Sequence, residues 1–160
     1  MATLQERLIA KYGNPMSDQQ TFEQRHMMLL KYPKDIVDNI PVLGASVYCN
    51  KDFAGPYLEF LRLLIRRGLH KEIRTNDQCF MVRYIRGQEH LKNLSIHSWG
   101  MAIDFNIADN PLGMTRLQAL AVGLKPFSEQ FFQAIRDADF VCGADFPRKD
   151  LMHLEFTKHI

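Results

Sequence analysis

Apolar residues recur at helical spacing in several stretches of the chain. The clearest stretch is "PYLEFLRLLIRRG", whose apolar stripe follows the i, i+3, i+4, i+7, i+8 pattern through Tyr57, Phe60, Leu61, Leu64 and Ile65. This pattern predicts a helix that begins near Pro56 and closes at Gly68. Residues 4–12 predict a short amphipathic helix, and residues 22–30 a second one. Residues 31–56, punctuated by proline and glycine, are expected to be irregular.

Alternating patterns predict strands in the second half of the chain. In "MAIDFNI" one face carries Met101, Ile103, Phe105 and Ile107. Because that apolar set must face the core, Asp104 is expected to project into a cleft or a solvated surface. In "LMHLEF" His153 and Glu155 share a face. Further strands are predicted at "HKEIRT", "CFMVRYI" and "FVCG", and helices over residues 115–122 and 128–137.

Together these elements predict a single α+β domain over residues 1–160. It would consist of a helical N-terminal layer, residues 1–40, and a core of residues 41–160. A small, mainly antiparallel sheet would carry helices on one face. The other face of the sheet would form a cleft that collects Asp104, His153 and Glu155.

Composition limits the classes of function. The 160 residues are 46% hydrophobic, which fits one globular domain. A net charge of +2, from 20 basic and 18 acidic residues, is too balanced to favour nucleic-acid binding. No apolar run approaches the ~20 residues of a membrane span, and the first residues lack the apolar stretch of a secretory signal. We therefore expect a protein that is synthesised in the cytoplasm and does not insert into membranes. We also expect it to be a monomer.

Two imidazoles and one carboxylate stand out as candidate chemistry. His97, Asp104 and His153 lie beside or within predicted strands, and such a set leaves a fourth zinc position for water. On pattern alone, a hydrogen-bonded aspartate with unrelated histidines remains an alternative. The other histidines are expected to be structural, solvated or, in one polar loop, at the rim of a site: His26, His70, His90 and His159. Three widely spaced cysteines without a CxxC motif predict reduced thiols: Cys49, Cys79 and Cys142.

Two motifs carry a family resemblance. "SIHSWGMAIDF" resembles the S-x-H-x-x-G-x-A-x-D motif of the hedgehog-type zinc peptidases, and "DLMHLE" resembles their second motif, an acidic residue, two spacers and a histidine. The group includes D-alanyl-D-alanine carboxypeptidases, vancomycin-resistance dipeptidases and phage L-alanyl-D-glutamate endolysins. The likeness spans roughly residues 40–157, and "RYIRG" and "NPLG" are similar to a phage-associated branch.

Carried over residue by residue, the resemblance implies a set of ligands for Zn²⁺: His97, Asp104 and His153. Ser95 and Trp99 would order the motif loop, with Ser95 also in reach of the substrate. Gly100 would let the chain pass close to the metal without a side chain. Arg83 or Arg86 would polarise the substrate carbonyl or bind a substrate carboxylate, and both stay candidates.

The proton acceptor has two candidates. The resemblance places Asp150 at the general base, a position that many relatives fill with glutamate. In an ideal strand Glu155 shares the face of His153, whereas Asp150 would point away. Asp150 therefore requires that the chain still turns at "PRKD", which Pro147 favours. Glu155 would then be a structural acceptor, for an arginine or for a ligand imidazole.

The resemblance implies a zinc-dependent peptidase that hydrolyses peptide bonds of bacterial peptidoglycan with a zinc-activated water, the stem peptide being its partner. The phage-like motifs and the small size favour a bacteriophage endolysin for host cell lysis, cutting L-Ala–D-Glu after holin-mediated release. One alternative is a D-Ala-D-Ala carboxypeptidase. Another is a non-hydrolytic, zinc-containing structural or binding module of a virion.

Overall fold

The N-terminal part of the chain combines helices with a two-stranded sheet. The computed structural model describes residues 1–160. Helix α1 (Leu4–Tyr12) has the bounds that the sequence predicted, and a capping box fixes its start. The Thr3 hydroxyl accepts from the Glu6 N–H, while the Glu6 carboxylate accepts from the Thr3 N–H. Helix α2 (Gln19–His26) follows, and its N-cap is Asp18.

The predicted helix over residues 22–30 is wrong in its second half. Met27–Lys31 forms strand β1, which pairs antiparallel with β2 (Ser46–Asn50). The irregular layer predicted for residues 31–56 is therefore also wrong, since it contains β2, α3 (Lys34–Asn39) and a 3₁₀ turn (Pro41–Leu43). The pairing between two distant segments outweighs the local helical pattern.

The long helix α4 (Lys51–Arg66) carries the predicted apolar stripe into the core. It begins five residues earlier than predicted and has Pro56 in its interior. The Asn50 side chain caps it by accepting from the Asp52 N–H at 2.9 Å. Four stripe residues are fully buried, each contributing roughly 1.5–3 kcal/mol: Tyr57, Phe60, Leu61 and Leu64.

A second, four-stranded sheet supports the candidate site. Its strands are β3 (Asn76–Gln78), β4 (Ala102–Phe105), β5 (Val141–Cys142) and β6 (His153–Glu155). The spatial order is β3-β4-β6-β5, and every pairing is antiparallel. The predicted α+β fold with a mainly antiparallel sheet is confirmed.

Two predicted strands near this sheet are wrong. "HKEIRT" contains a 3₁₀ turn (His70–Glu72). "CFMVRYI" is a loop in which only Tyr84 forms a bridge, to Leu94. Strand β4 also ends before Ile107, because Asn106 adopts a left-handed conformation with φ of 52°. The predicted inward face of this strand is otherwise correct, since Met101, Ile103 and Phe105 are buried.

Two helices complete the fold where the sequence predicted them. Helix α5 (Arg116–Ala121) is capped by Thr115, and α6 (Glu129–Asp137) by Ser128. Helix α6 packs on α4 through an edge-to-face pair of Phe60 and Phe131. The remaining 3₁₀ turns are Glu89–Leu91, Ile96–Trp99, Ile107–Asp109 and Gly143–Asp145. None of the helices combines the length and the apolar character that crossing a bilayer requires.

Candidate metal centre

The register of two strands creates a buried cluster of three possible metal ligands. Strands β4 and β6 pair so that Asp104 lies opposite His153. His97 comes from the 3₁₀ turn just before β4. One ligand atom from each of the three residues lies within 4.8 Å of the others, and all three residues are buried. The residues that the sequence grouped by chemistry are thus brought together by the fold.

The His97 ring presents an unshared lone pair to this cluster. Its Nδ1 lies 2.8 Å from the carbonyl oxygen of Cys79, which can only accept, so Nδ1 carries the proton. Nε2 is then an acceptor; it is buried and has no hydrogen-bond partner. It lies 3.2 Å from Oδ2 of Asp104, which is also an acceptor. Two buried acceptors that face each other without a proton between them fit a cation.

His153 lies between two carboxylates. Its Nδ1 is 3.0 Å from Oδ1 of Asp104, and its Nε2 is 2.8 Å from Oε2 of Glu155. Burial opposes a charge on the ring, but the hydrogen bonds to both carboxylates outweigh it and raise the pKa of His153 to about 10. Burial would raise the pKa of Asp104, yet the hydrogen bond that it accepts from His153 is chief among the effects that outweigh burial and hold this pKa well below its usual value.

Both oxygens of Glu155 are engaged by hydrogen bonds. Oε2 accepts from Nε2 of His153, and Oε1 accepts from the Thr157 hydroxyl at 2.9 Å. A metal ion on Nδ1 of His153 would leave the Nε2–H donation to Glu155 intact. This is the carboxylate–histidine–metal arrangement that fixes the tautomer of a ligand imidazole. The sequence left two roles open for Glu155, that of the general base and that of a structural acceptor. The geometry favours the structural acceptor.

Asp150 presents a carboxylate without partners. The chain does turn ahead of β6: the Asp150 N–H donates to Gly143 at 3.0 Å, and the Asp150 carbonyl accepts from the His153 N–H at 3.1 Å. The side chain reaches the same cavity as the cluster. Its Oδ1 is buried with no hydrogen-bond partner, and burial raises the pKa of Asp150. This is the environment that general bases occupy in enzyme sites.

Sequence reasoning missed Gly143, which holds this turn together. A Cβ atom at Gly143 would clash with the carbonyl oxygen of Asp150 and would lie 3.0 Å from that of His153. Only glycine therefore allows this approach of the two backbone segments. The sole signal in the sequence was the glycine that ends "FVCG".

The cluster and Asp150 line a cavity of about 370 Å³. Arg83 and Arg86, the two arginines predicted for substrate binding, line it together with a third, Arg148. Burial and the charge of Arg86 lower the pKa of Arg83, whose Nε is buried without a partner. Arg86 is exposed. Other lining residues include Ile85, Ser95, Ile96, Leu112, Phe146 and Met152.

The first motif is anchored by its other residues. Ser95 lies in the cavity wall and donates its N–H to the Arg83 carbonyl at 2.9 Å. Trp99 is fully buried, and its Nε1–H donates to the Gly13 carbonyl at 3.0 Å, which connects the motif to the end of α1. Glycine is required at position 100 for a different reason from the one expected. A Cβ there, at φ of +65°, would collide with the side chain of Met27 and the backbone of Asn50.

The remaining histidines and the cysteines do not line the cavity. His26 packs against Tyr12 and Phe22, and His159 pairs with Asp139. His70 is half-buried and His90 is exposed in its loop. All three cysteines are free and buried.

An α+β domain with a buried His–Asp–His cluster has the donor set of a single-metal hydrolase. The family comparison agrees: residues 89–156 match the model of a family described as D-alanyl-D-alanine carboxypeptidase. This segment contains the three possible ligands and Asp150. The resemblance to the hedgehog-type zinc peptidases is therefore confirmed, and it supports a metallopeptidase. No curated protein and no solved structure matches the chain.

Proposed function

We propose that this protein is a zinc-dependent peptidase that cleaves the peptide part of bacterial peptidoglycan, as an endolysin acting on the L-Ala–D-Glu bond. One observation carries the proposal. An unprotonated Nε2 of His97, the Asp104 carboxylate and Nδ1 of His153 converge beside the unpartnered carboxylate of Asp150. The candidate metal ligands and the candidate proton acceptor thus share one cavity.

The residues divide the chemistry between them. Zinc, held by His97, Asp104 and His153, would supply a Lewis acid that lowers the pKa of a water and polarises the carbonyl. Asp150 accepts the proton of the attacking water at its free oxygen and then donates it to the leaving amine nitrogen. Arg83 directs its N–H groups at the carbonyl oxygen as negative charge develops there.

The supporting contacts keep these groups in position. Glu155 holds the Nε2–H of His153, so that Nδ1 faces the metal position. The Ser98 hydroxyl accepts from the Arg83 N–H at 3.0 Å and donates to the Arg83 carbonyl at 2.9 Å. Both contacts hold the backbone on which the candidate oxyanion donor is mounted. Holding catalytic groups in the reactive geometry lowers the entropic part of the activation barrier.

The alternative substrate is a terminal D-Ala–D-Ala, and the description of the matching family favours it. The endolysin assignment is supported by the resemblance of "RYIRG" and "NPLG" to a phage-associated branch. It implies action at the cell wall after release from the cytoplasm through a holin. Both substrates place a free α-carboxylate on the residue that contributes the amide nitrogen, so an arginine-lined cavity suits either.

Digestion of purified peptidoglycan followed by mass spectrometry separates these functions. The endolysin predicts stem peptides with a new N-terminal D-Glu, and the same digest with Asp150→Asn protein should contain none. Release of free D-Ala alone would replace the endolysin with the carboxypeptidase. Full zinc loading with no product from any wall type would favour the non-hydrolytic virion module.

A further inference from the structure

Three arginines that line one cavity form no ion pair with a carboxylate. Of the eight arginines outside this cavity, four form an ion pair with a carboxylate: Arg62, Arg67, Arg74 and Arg136. No carboxylate lies within ion-pair distance of the cavity arginines Arg83, Arg86 and Arg148. Cations that are held together without partners indicate an anionic ligand.

The cavity has an acidic inner end and a basic rim. The possible metal ligands and Glu155 are buried, whereas Arg86 and Arg148 are exposed. A divalent metal would neutralise much of the negative charge at the inner end. The positive charge of the rim would then dominate the electrostatic potential in the cavity. The chemistry of the rim therefore selects for negative charge on the part of the substrate that lies outside the metal position.

Arg148 is held in place by a single hydrogen bond. Its NH1 group donates to the carbonyl oxygen of Arg86 at 2.7 Å, across the gap between the two loops that border the cavity. This is the only hydrogen bond of its guanidinium group, so one edge of the planar fork stays available. Glu89, on whose carboxylate the charge of Arg148 acts, is engaged with backbone N–H groups, chiefly its own and that of Gly87.

We propose that Arg148 is a specificity-determining residue, which binds the free α-carboxylate of the substrate residue that contributes the scissile amide nitrogen. This inference rests on the proposed function. Arg148 lies two positions before Asp150, and both line the same cavity. A carboxylate held by the available edge of Arg148 would place the amide nitrogen near the group that protonates it. Arg83, which is half-buried nearer the cluster, then serves the carbonyl oxygen.

Binding to a catalytically silent protein tests this role without turnover. The zinc-loaded Asp150→Asn protein is titrated calorimetrically with acetyl-L-Ala-γ-D-Glu-L-Lys and with the same peptide carrying an α-carboxamide on D-Glu. The carboxylate peptide should bind about 10- to 100-fold more tightly, as expected for a charged, two-point contact. Adding Arg148→Gln should abolish that preference and leave the affinity for the carboxamide peptide unchanged.

Two further variants serve as controls. Arg66 is exposed at the end of α4, away from the cavity, so Arg66→Gln removes the same charge and should retain the preference. Arg148→Lys keeps the charge without the fork and should retain only part of it.

Three results would overturn the inference: equal affinities of the two peptides in the parent protein, equal weakening of both by Arg148→Gln, or binding of neither. The failure of the proposed function looks different. The wild-type protein would then cleave no peptidoglycan, while the Arg148→Gln substitution would still abolish the preference for the carboxylate peptide. That result would support the carboxylate site and contradict the peptidase function.

Discussion

Replacing Glu155 with glutamine should weaken zinc binding rather than abolish the proton-transfer step. Glutamine keeps the size of the side chain, and its amide oxygen can still accept from Nε2 of His153 while its amide group faces the Thr157 hydroxyl. What is lost is the negative charge 2.8 Å from the ligand imidazole. Removing such a partner lowers metal affinity about 10- to 100-fold, because the imidazole becomes a weaker electron-pair donor to the metal.

The paired variant is Asp150→Asn. The Asp150 side chain forms no hydrogen bond with the cluster, and its Oδ1 is buried without a partner. Its substitution should therefore leave zinc affinity within about threefold of wild type and remove turnover, since a general base contributes about 10²- to 10⁴-fold.

Zinc affinity is measured by competition with a chromophoric chelator, and turnover by amine release from a synthetic stem peptide at saturating zinc. The reverse outcome would refute this division of roles. If Glu155→Gln bound zinc normally without turnover while Asp150→Asn stayed active, Glu155 would be the proton acceptor.

Four further predictions test the remaining parts of the account. Zinc uptake at neutral pH should release about one proton per chain. His153, with a pKa of about 10, is doubly protonated in the metal-free protein and must lose the proton on Nδ1 before that nitrogen can bind zinc. Calorimetry in buffers of different ionisation enthalpy measures the release, and a release of zero would contradict the raised pKa. The same raised pKa stabilises the metal-free fold fully below the ordinary value of 6.5, and that contribution should be lost as the pH rises through about 10. Gly143→Ala should displace Asp150 and lower turnover about 100-fold, whereas Gly55→Ala, in open space on α4, should leave turnover unchanged; equal activities would mean that the turn tolerates a side chain. Phe60→Ala removes a fully buried ring that contacts Phe131 and Phe140 and should cost about 3–5 kcal/mol in urea unfolding; a loss below about 1 kcal/mol would contradict the packing.

Local signals in the sequence were sufficient for several elements. The helices α1, α5 and α6 have caps and stripes that act within a few residues, and they form where these signals lie. Alternation also placed Asp104 and His153 correctly, because the period of a strand fixes which side chains share a face. Two of the three candidate ligands lie in these two strands, and His97 lies in the 3₁₀ turn just before β4.

Elements that depend on distant partners were not predictable in this way. Residues 27–31 have an apolar run that also suits a helix, and only pairing with residues 46–50 makes them a strand. The loop with Arg83 has a strand-like composition, but its backbone bonds to the Ser98 side chain and to the Ser95 backbone instead of a full ladder. The choice between Asp150 and Glu155 needed the hydrogen bonds around His153, which no periodicity encodes.

The central claim is that His97, Asp104 and His153 hold one zinc ion that is essential for peptide hydrolysis. Its most direct test is a titration of the chelator-treated protein with zinc, in which bound metal and cleavage of a synthetic stem peptide are measured on the same samples. The account predicts that cleavage rises in proportion to bound zinc and saturates at one ion per chain. Cleavage by the metal-free protein, or none at full occupancy, would contradict it.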